Sequence, residues 1–205
     1  MERGWIEITP SHITGLLAVT VSIYFLIMQR DDLSIVAASI FFTLACTTDT
    51  FKLKIPNLLN ACLLVAGITI NTMALGMQGF LLSLAGLGLG IGLLLLPHLM
   101  GGIGAGDVKA LGALGALIGP YDLLNVFLYM GLYGGVLALF HYCYKANIKE
   151  VFREAWLSAC ASALTRKAHY ILPTNPGPRK DTLRFPYSAA IAFGYYSFVY
   201  WGGLL

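Results

Sequence analysis

Residues 101–109, Gly-Gly-Ile-Gly-Ala-Gly-Asp-Val-Lys, set one carboxylate, Asp107, among four glycines between two apolar stretches. An ionisable group at membrane depth is penalised by roughly 2.5–3.5 kcal/mol on insertion scales, so by default it marks a functional site. Glycines carry no side chain, so another backbone can approach the acid closely. A second acid, Asp49, ends an earlier apolar stretch. Two carboxylates in one site cannot both ionise easily, so one keeps a proton while the other does not. The ionised member can take a proton from water and the protonated one can polarise a scissile carbonyl, which is aspartic-protease chemistry. The plainer reading is that each acid caps or flanks a helix. Asp107, just ahead of a helical stretch, suits that reading. Asp49, at a helix's C-terminal end, suits it poorly, because the carbonyl end of the dipole disfavours negative charge. The same argument expects Asp49 to hold its proton more firmly than Asp107.

The elements that must position these acids are apolar helices. Of 205 residues, 58% are apolar and 11% charged, against about 25% charged in soluble domains. The expectation is an all-α polytopic membrane protein, a single membrane-embedded domain over 1–205, with about seven membrane segments: 13–28, 33–48, 56–75, 79–99, 108–119, 123–144 and 185–205. The first reads as a retained helix, since its head is not basic and no small-residue cleavage site follows it. Pro56 is placed at the first turn of the third. Gly88 and Gly92 in the fourth have the GxxxG spacing of close helix packing. The fifth is short for a bilayer that asks for ~20 residues, and with Gly112, Gly115 and Gly119 it should be packed among other helices. His98, near the glycine loop, reads as a polar interface residue.

Residues 145–184 differ in kind. Ile148, Val151, Phe152, Ala155, Trp156, Ala159 and Ala163 recur at helical spacing. With lysines and arginines around them, they predict a cytoplasmic amphipathic helix lying on the membrane, followed by a proline-rich loop. Alternating the seven segments puts twelve of the thirteen basic residues on one side, including Arg3, Lys52, Lys54 and Lys109, with Arg30 alone on the other. The positive-inside rule makes the crowded side cytoplasmic, with the N-terminus and both acids there. Basic residues beside membrane segments point to a lipid bilayer as partner and away from nucleic acid. Cys46, Cys62, Cys143 and Cys160 form no CxxC pair, so a metal or redox centre has little support.

Three motifs in order carry a family resemblance. Gly104-Ala105-Gly106-Asp107 is a GxGD motif. Asp49 followed by Lys54-Ile55-Pro56-Asn57, and the later run Arg184-Phe185-Pro186-Tyr187-Ser188-Ala189-Ala190-Ile191, resemble the remaining parts of the type IV prepilin peptidase pattern. The resemblance implies a membrane aspartic endopeptidase with Asp49 and Asp107 as catalytic pair. Gly104, Gly106, Lys109, Lys54, Pro56 and Asn57 would bind substrate or shape the site. Its substrate would be a prepilin or pseudopilin, cut on the cytoplasmic face of the inner membrane between a basic leader and a hydrophobic helix. No metal or organic cofactor is called for. Many members carry a cysteine-rich cytoplasmic insertion and methylate the new N-terminus. Here the connectors before Asp49 are short and hold no cysteine pair, so a compact peptidase-only form is expected, similar to Flp-type prepilin or preflagellin peptidases. Two other readings stay open at this level. A presenilin-like intramembrane protease shares the GxGD, though Tyr121-Asp122 follows that motif here where it should precede it. A small transporter or channel could use the acids to bind cations or protons.

Overall fold

The computed structural model describes residues 10–52, 54–99, 103–145 and 187–204. The surface helix and proline-rich loop expected within 145–184 lie outside the described residues beyond Lys145, as do the first nine residues and Arg184 to Pro186. The described chain is helical: α1 Pro10–Met28, α2 Leu33–Lys52, α3 Asn57–Leu75, α4 Met77–Leu99, α5 Ala105–Ile118, α6 Pro120–Lys145 and α7 Tyr187–Trp201. Each coincides with one expected apolar segment. Helices α2, α3 and α4 are long and apolar enough to cross a membrane, and α1 contributes a shorter apolar stretch, His12–Met28. Apolar helices of this kind make it a membrane protein. Two compact units divide the chain, Met1–Val136 with Pro186–Leu205, and Leu137–Phe185; the first holds both Asp49 and Asp107.

Helix α5 is buried on every side: Val108 and each residue from Ala110 to Leu117 are shielded. Small residues allow this. A Cβ on Gly67 of α3 would stand 2.7 Å from the Leu117 amide nitrogen, and one on Gly90 of α4 would stand 2.6 Å from the Leu111 carbonyl oxygen. Asn71 of α3 donates its side-chain amide to Ser83 of α4 at 3.0 Å and to the Ala116 and Leu117 carbonyls at 2.9 and 3.0 Å. Those carbonyls end α5 and have no partner within the helix.

The glycines that pack α4 are not the expected pair. A Cβ on Gly88 or Gly92 would meet nothing within 4 Å among the described residues, whereas one on Gly86 would collide with the Gly115 carbonyl. Gly86 and Gly90 share the same four-residue spacing two positions earlier, on the face that α5 covers. The run Gly86-Leu-Gly-Leu-Gly-Ile-Gly offers two such faces, and only the partner helix distinguishes them. Pro56 also differs by one position: it is the residue before α3, with extended φ −60° and ψ 134°, and it caps that helix from outside its first turn.

Helix α7 is seated by aromatic packing. Tyr196 stacks on Phe25 of α1 at 4.6 Å and meets Phe42 of α2 edge-on at 5.9 Å. Its hydroxyl donates to Ser39 at 3.2 Å. On the other flank, Tyr133 of α6 and Ser197 share a hydrogen bond at 2.8 Å. The glycine faces of α4 have opposite tolerances. Replacing Gly86 by alanine should separate α4 from α5 and destabilise the protein by about 1–3 kcal/mol, the range for overpacking. Gly88→Ala should stay within about 0.5 kcal/mol of the parent. Thermal unfolding in detergent distinguishes the two faces.

Candidate functional site

The last turns of α2 carry an unusual load of hydroxyls for an apolar helix. Thr43, Thr47 and Thr50 settle theirs on the carbonyl four residues back, at 2.6–2.7 Å, which removes the need for outside partners. Thr50 packs against Gly15 of α1, where a Cβ would overlap its hydroxyl. Asp49, the residue before Thr50, is 7% exposed.

A carboxylate so placed needs donors, and they come from the start of α7. Ser188 donates its hydroxyl to Asp49 Oδ2 at 2.6 Å and its amide to the same oxygen at 3.4 Å. Ser188 is the second residue of α7, and the first amides of a helix lack partners within it. Asp49 therefore sits at the C-terminal end of its own helix and at the N-terminal end of another. The unfavourable dipole expected from α2 is countered by a favourable one from α7.

Asp107 stands in the first turn of α5 and is half-buried. The helix opens at Gly104, whose carbonyl accepts from the Asp107 amide at 3.1 Å. The Asp107 carboxylate folds back onto the Gly104 amide, the returning half of a capping box. It lies outside the three helices long enough to cross a membrane. Burial, and next the nearby charge of Asp49, push its carboxyl up to about 7, against the opposing pull of the Gly104 and Asp107 amides. Its charge is also felt at Tyr187, at the head of α7. The structure thus brings Asp49, Asp107 and the start of α7 into one electrostatic neighbourhood.

The other expected residues divide. Lys109 donates to Asn57 Oδ1 at 3.0 Å, which ties the GxGD turn to the head of α3. Gly106 belongs to the same junction: its carbonyl accepts from Asn60 Nδ2 at 3.2 Å. Lys54 is exposed on the connector between α2 and α3 and takes no part in these bonds. Asp122 lies beyond the far end of α5, on the order of 20 Å from Asp107 at 1.5 Å per residue. His98 donates Nδ1–H to the Ile103 carbonyl at 2.8 Å, a tether between α4 and the glycine loop, in keeping with a polar interface role.

Two residues at this site were absent from the expected set. Ser188 stood inside a motif, yet nothing in its neighbours says which acid it would meet. Asn60 is 5% exposed, and its Oδ1 is buried without a partner among the described residues. One turn after Asn57, it reads from sequence as an ordinary polar interruption of an apolar helix.

The two glycines of the motif differ in what they permit. A Cβ on Gly104 would come within 3.0 Å of Asp107 Oδ2, while one on Gly106 would meet Ile55 at an ordinary 3.5 Å. Gly104→Ala should push the Asp107 carboxylate aside by a few tenths of an ångström and destabilise the protein by about 1 kcal/mol. Gly106→Ala should stay within about 0.5 kcal/mol of the parent. Thermal unfolding in detergent tests both.

A family model, the type IV leader peptidase family, matches residues 36–139, half of the chain, including both acids and stopping short of α7. Neither the curated proteins nor the solved structures gave a match.

Proposed function

The chain belongs to the type IV leader peptidase family, and from that premise we propose that it is an aspartic endopeptidase removing the basic leader of prepilins or pseudopilins at the cytoplasmic face of the inner membrane. Family membership makes it a peptidase of the leader-peptidase kind and supports a prepilin-type protein as its substrate. The observation that carries the finer reading is the approach of Asp49, in the last turn of α2, and Asp107, in the first turn of α5, close enough for the charge of one to act on the other. One ionised and one protonated carboxyl can activate water and polarise an amide together. The acids and the exposed glycine turn at Gly104 sit at the ends of apolar helices, where a substrate with a polar leader ahead of a hydrophobic helix would present its junction. Lys109 and Asn57, joined by their hydrogen bond, form the wall of that turn and hold Asp107 in register.

The membrane arrangement belongs to the same proposal. Seven crossings, a cytoplasmic N-terminus and a cytoplasmic site agree with the distribution of basic residues. The short connectors before Asp49 support a peptidase without N-methyltransferase activity, similar to the Flp-type and preflagellin enzymes.

Co-expression with a candidate prepilin tests the proposal. Asp49→Ala or Asp107→Ala should each abolish the mobility shift of leader removal while the protein still reaches the membrane. Full processing by either variant would refute the assignment. With purified protein and methyl-labelled S-adenosylmethionine, the cleaved product should remain unlabelled. The rate should fall as pH rises through about 7, because Asp107, raised to that range, must hold a proton to donate. A rate that stays flat into the alkaline range would remove Asp107 from the acid role.

A further inference from the structure

Ser188 sends two donors to a single oxygen of Asp49. The hydroxyl at 2.6 Å and the amide at 3.4 Å both address Oδ2. Ser188 is 1% exposed, so water does not compete for either bond. Donors converging on one carboxylate oxygen stabilise the anion and fix its rotamer, which leaves Oδ1 for a reacting water. Asp107 has a different setting. Its carboxylate meets main-chain amides of its own helix start, and no side-chain hydroxyl is among its described partners.

We propose that Ser188 is a positioning residue that divides the roles of the two acids, holding Asp49 as the ionised base and leaving Asp107 as the proton carrier. This rests on the reading of the two acids as the catalytic pair, and it reverses the order that the α2 dipole alone implies. In the first step Asp49 takes a proton from water as the water oxygen bonds to the scissile carbon. Asp107 passes its proton to the carbonyl oxygen, giving a neutral diol. In the second, a diol hydroxyl returns a proton to Asp107 as the carbonyl re-forms. The C–N bond breaks, and the proton held by Asp49 moves to the leaving amine. Both acids regain their starting states.

Among the described residues, the titratable neighbours of Asp49 on its own helix are the buried Cys46 and, one turn further on, Lys52, which is exposed to solvent. From α5 comes Asp107 and from the head of α7 comes Tyr187, both acidic groups. Helix α1 presents Gly15 against Thr50, and its His12 lies against the exposed ring of Phe51, 6.2 Å between centroids. Helix α3 presents the neutral Asn60. Among the described residues, the hydrogen-bond donors to Asp49 are those of Ser188.

The test is cleavage kinetics of a purified prepilin across pH by the full chain and by Ser188→Ala, Ser188→Thr and Asp49→Asn. Ser188→Ala should lower kcat about tenfold with KM little changed, and move the acid limb of the profile upward by about one pH unit, since a charge-assisted hydrogen bond is of that size. Ser188→Thr keeps the hydroxyl and should restore most of both. A wild-type kcat and an unmoved acid limb in Ser188→Ala, with Asp49→Asn inactive, would overturn this inference and leave the catalytic pair standing. Equal losses in the alanine and threonine variants, with lowered unfolding temperatures and no shift of the limb, would reduce Ser188 to packing and also overturn it. Normal cleavage by Asp49→Asn would instead overturn the reading of the pair.

Discussion

A carboxylate shut into the edge of an apolar bundle must find its hydrogen-bond donors within the chain, because the penalty for an unmatched charge there is severe. At Asp49 that demand is met by the first turn of α7, through the side chain and main chain of Ser188. The rest of the bundle keeps that meeting in register. Phe25, Phe42 and Tyr196 bind α7 to α1 and α2, and Gly194 lets it lie against α6, where a Cβ would press on Met130 and Val126. Without that seating, the last helix could not deliver its start to an acid 139 positions away.

The second acid depends on a helix of opposite character. Helix α5 sets small residues between its buried leucines, and α3 and α4 close on it through glycines and the Asn71 bridge. A small-residue helix has little side-chain freedom to lose and packs backbone against backbone. It therefore gives its first turn a firm base. The Lys109–Asn57 and Asn60–Gly106 bonds then fasten that turn to α3. Two helix N-termini, of α5 and α7, come to serve two acids, one from within its own helix and one from outside.

Much of this could be read from residue order. The apolar segments mark every described helix to within a few residues, because long apolar runs punctuated by Pro56, Gly76 and Gly119 leave little choice. The burial of α5 followed from its length and glycines. Lys109 and Asn57 were each singled out, although their bond was not foreseen. What escaped required knowledge of partners. Gly86 and Gly88 look alike until α5 selects a face. Asp49 seemed badly placed because only its own helix was in view; its relief comes from the N-terminus of another. Asn71 and Asn60 look like polar interruptions in α3, and only the incoming carbonyls of α5 give them a use.

For the proposed chemistry, Asp49 and Asp107 must face each other across a space one water molecule can share. Paired cysteines at the two positions, in a chain whose four native cysteines are replaced, measure this directly. A short bifunctional thiosulfonate should bridge Asp49→Cys and Asp107→Cys within one chain in native membranes, and a control pair at Asp49 and Asp122 should stay unbridged. Failure to bridge the first pair, with both thiols shown to react singly, would rule out a shared water and with it the paired-acid mechanism.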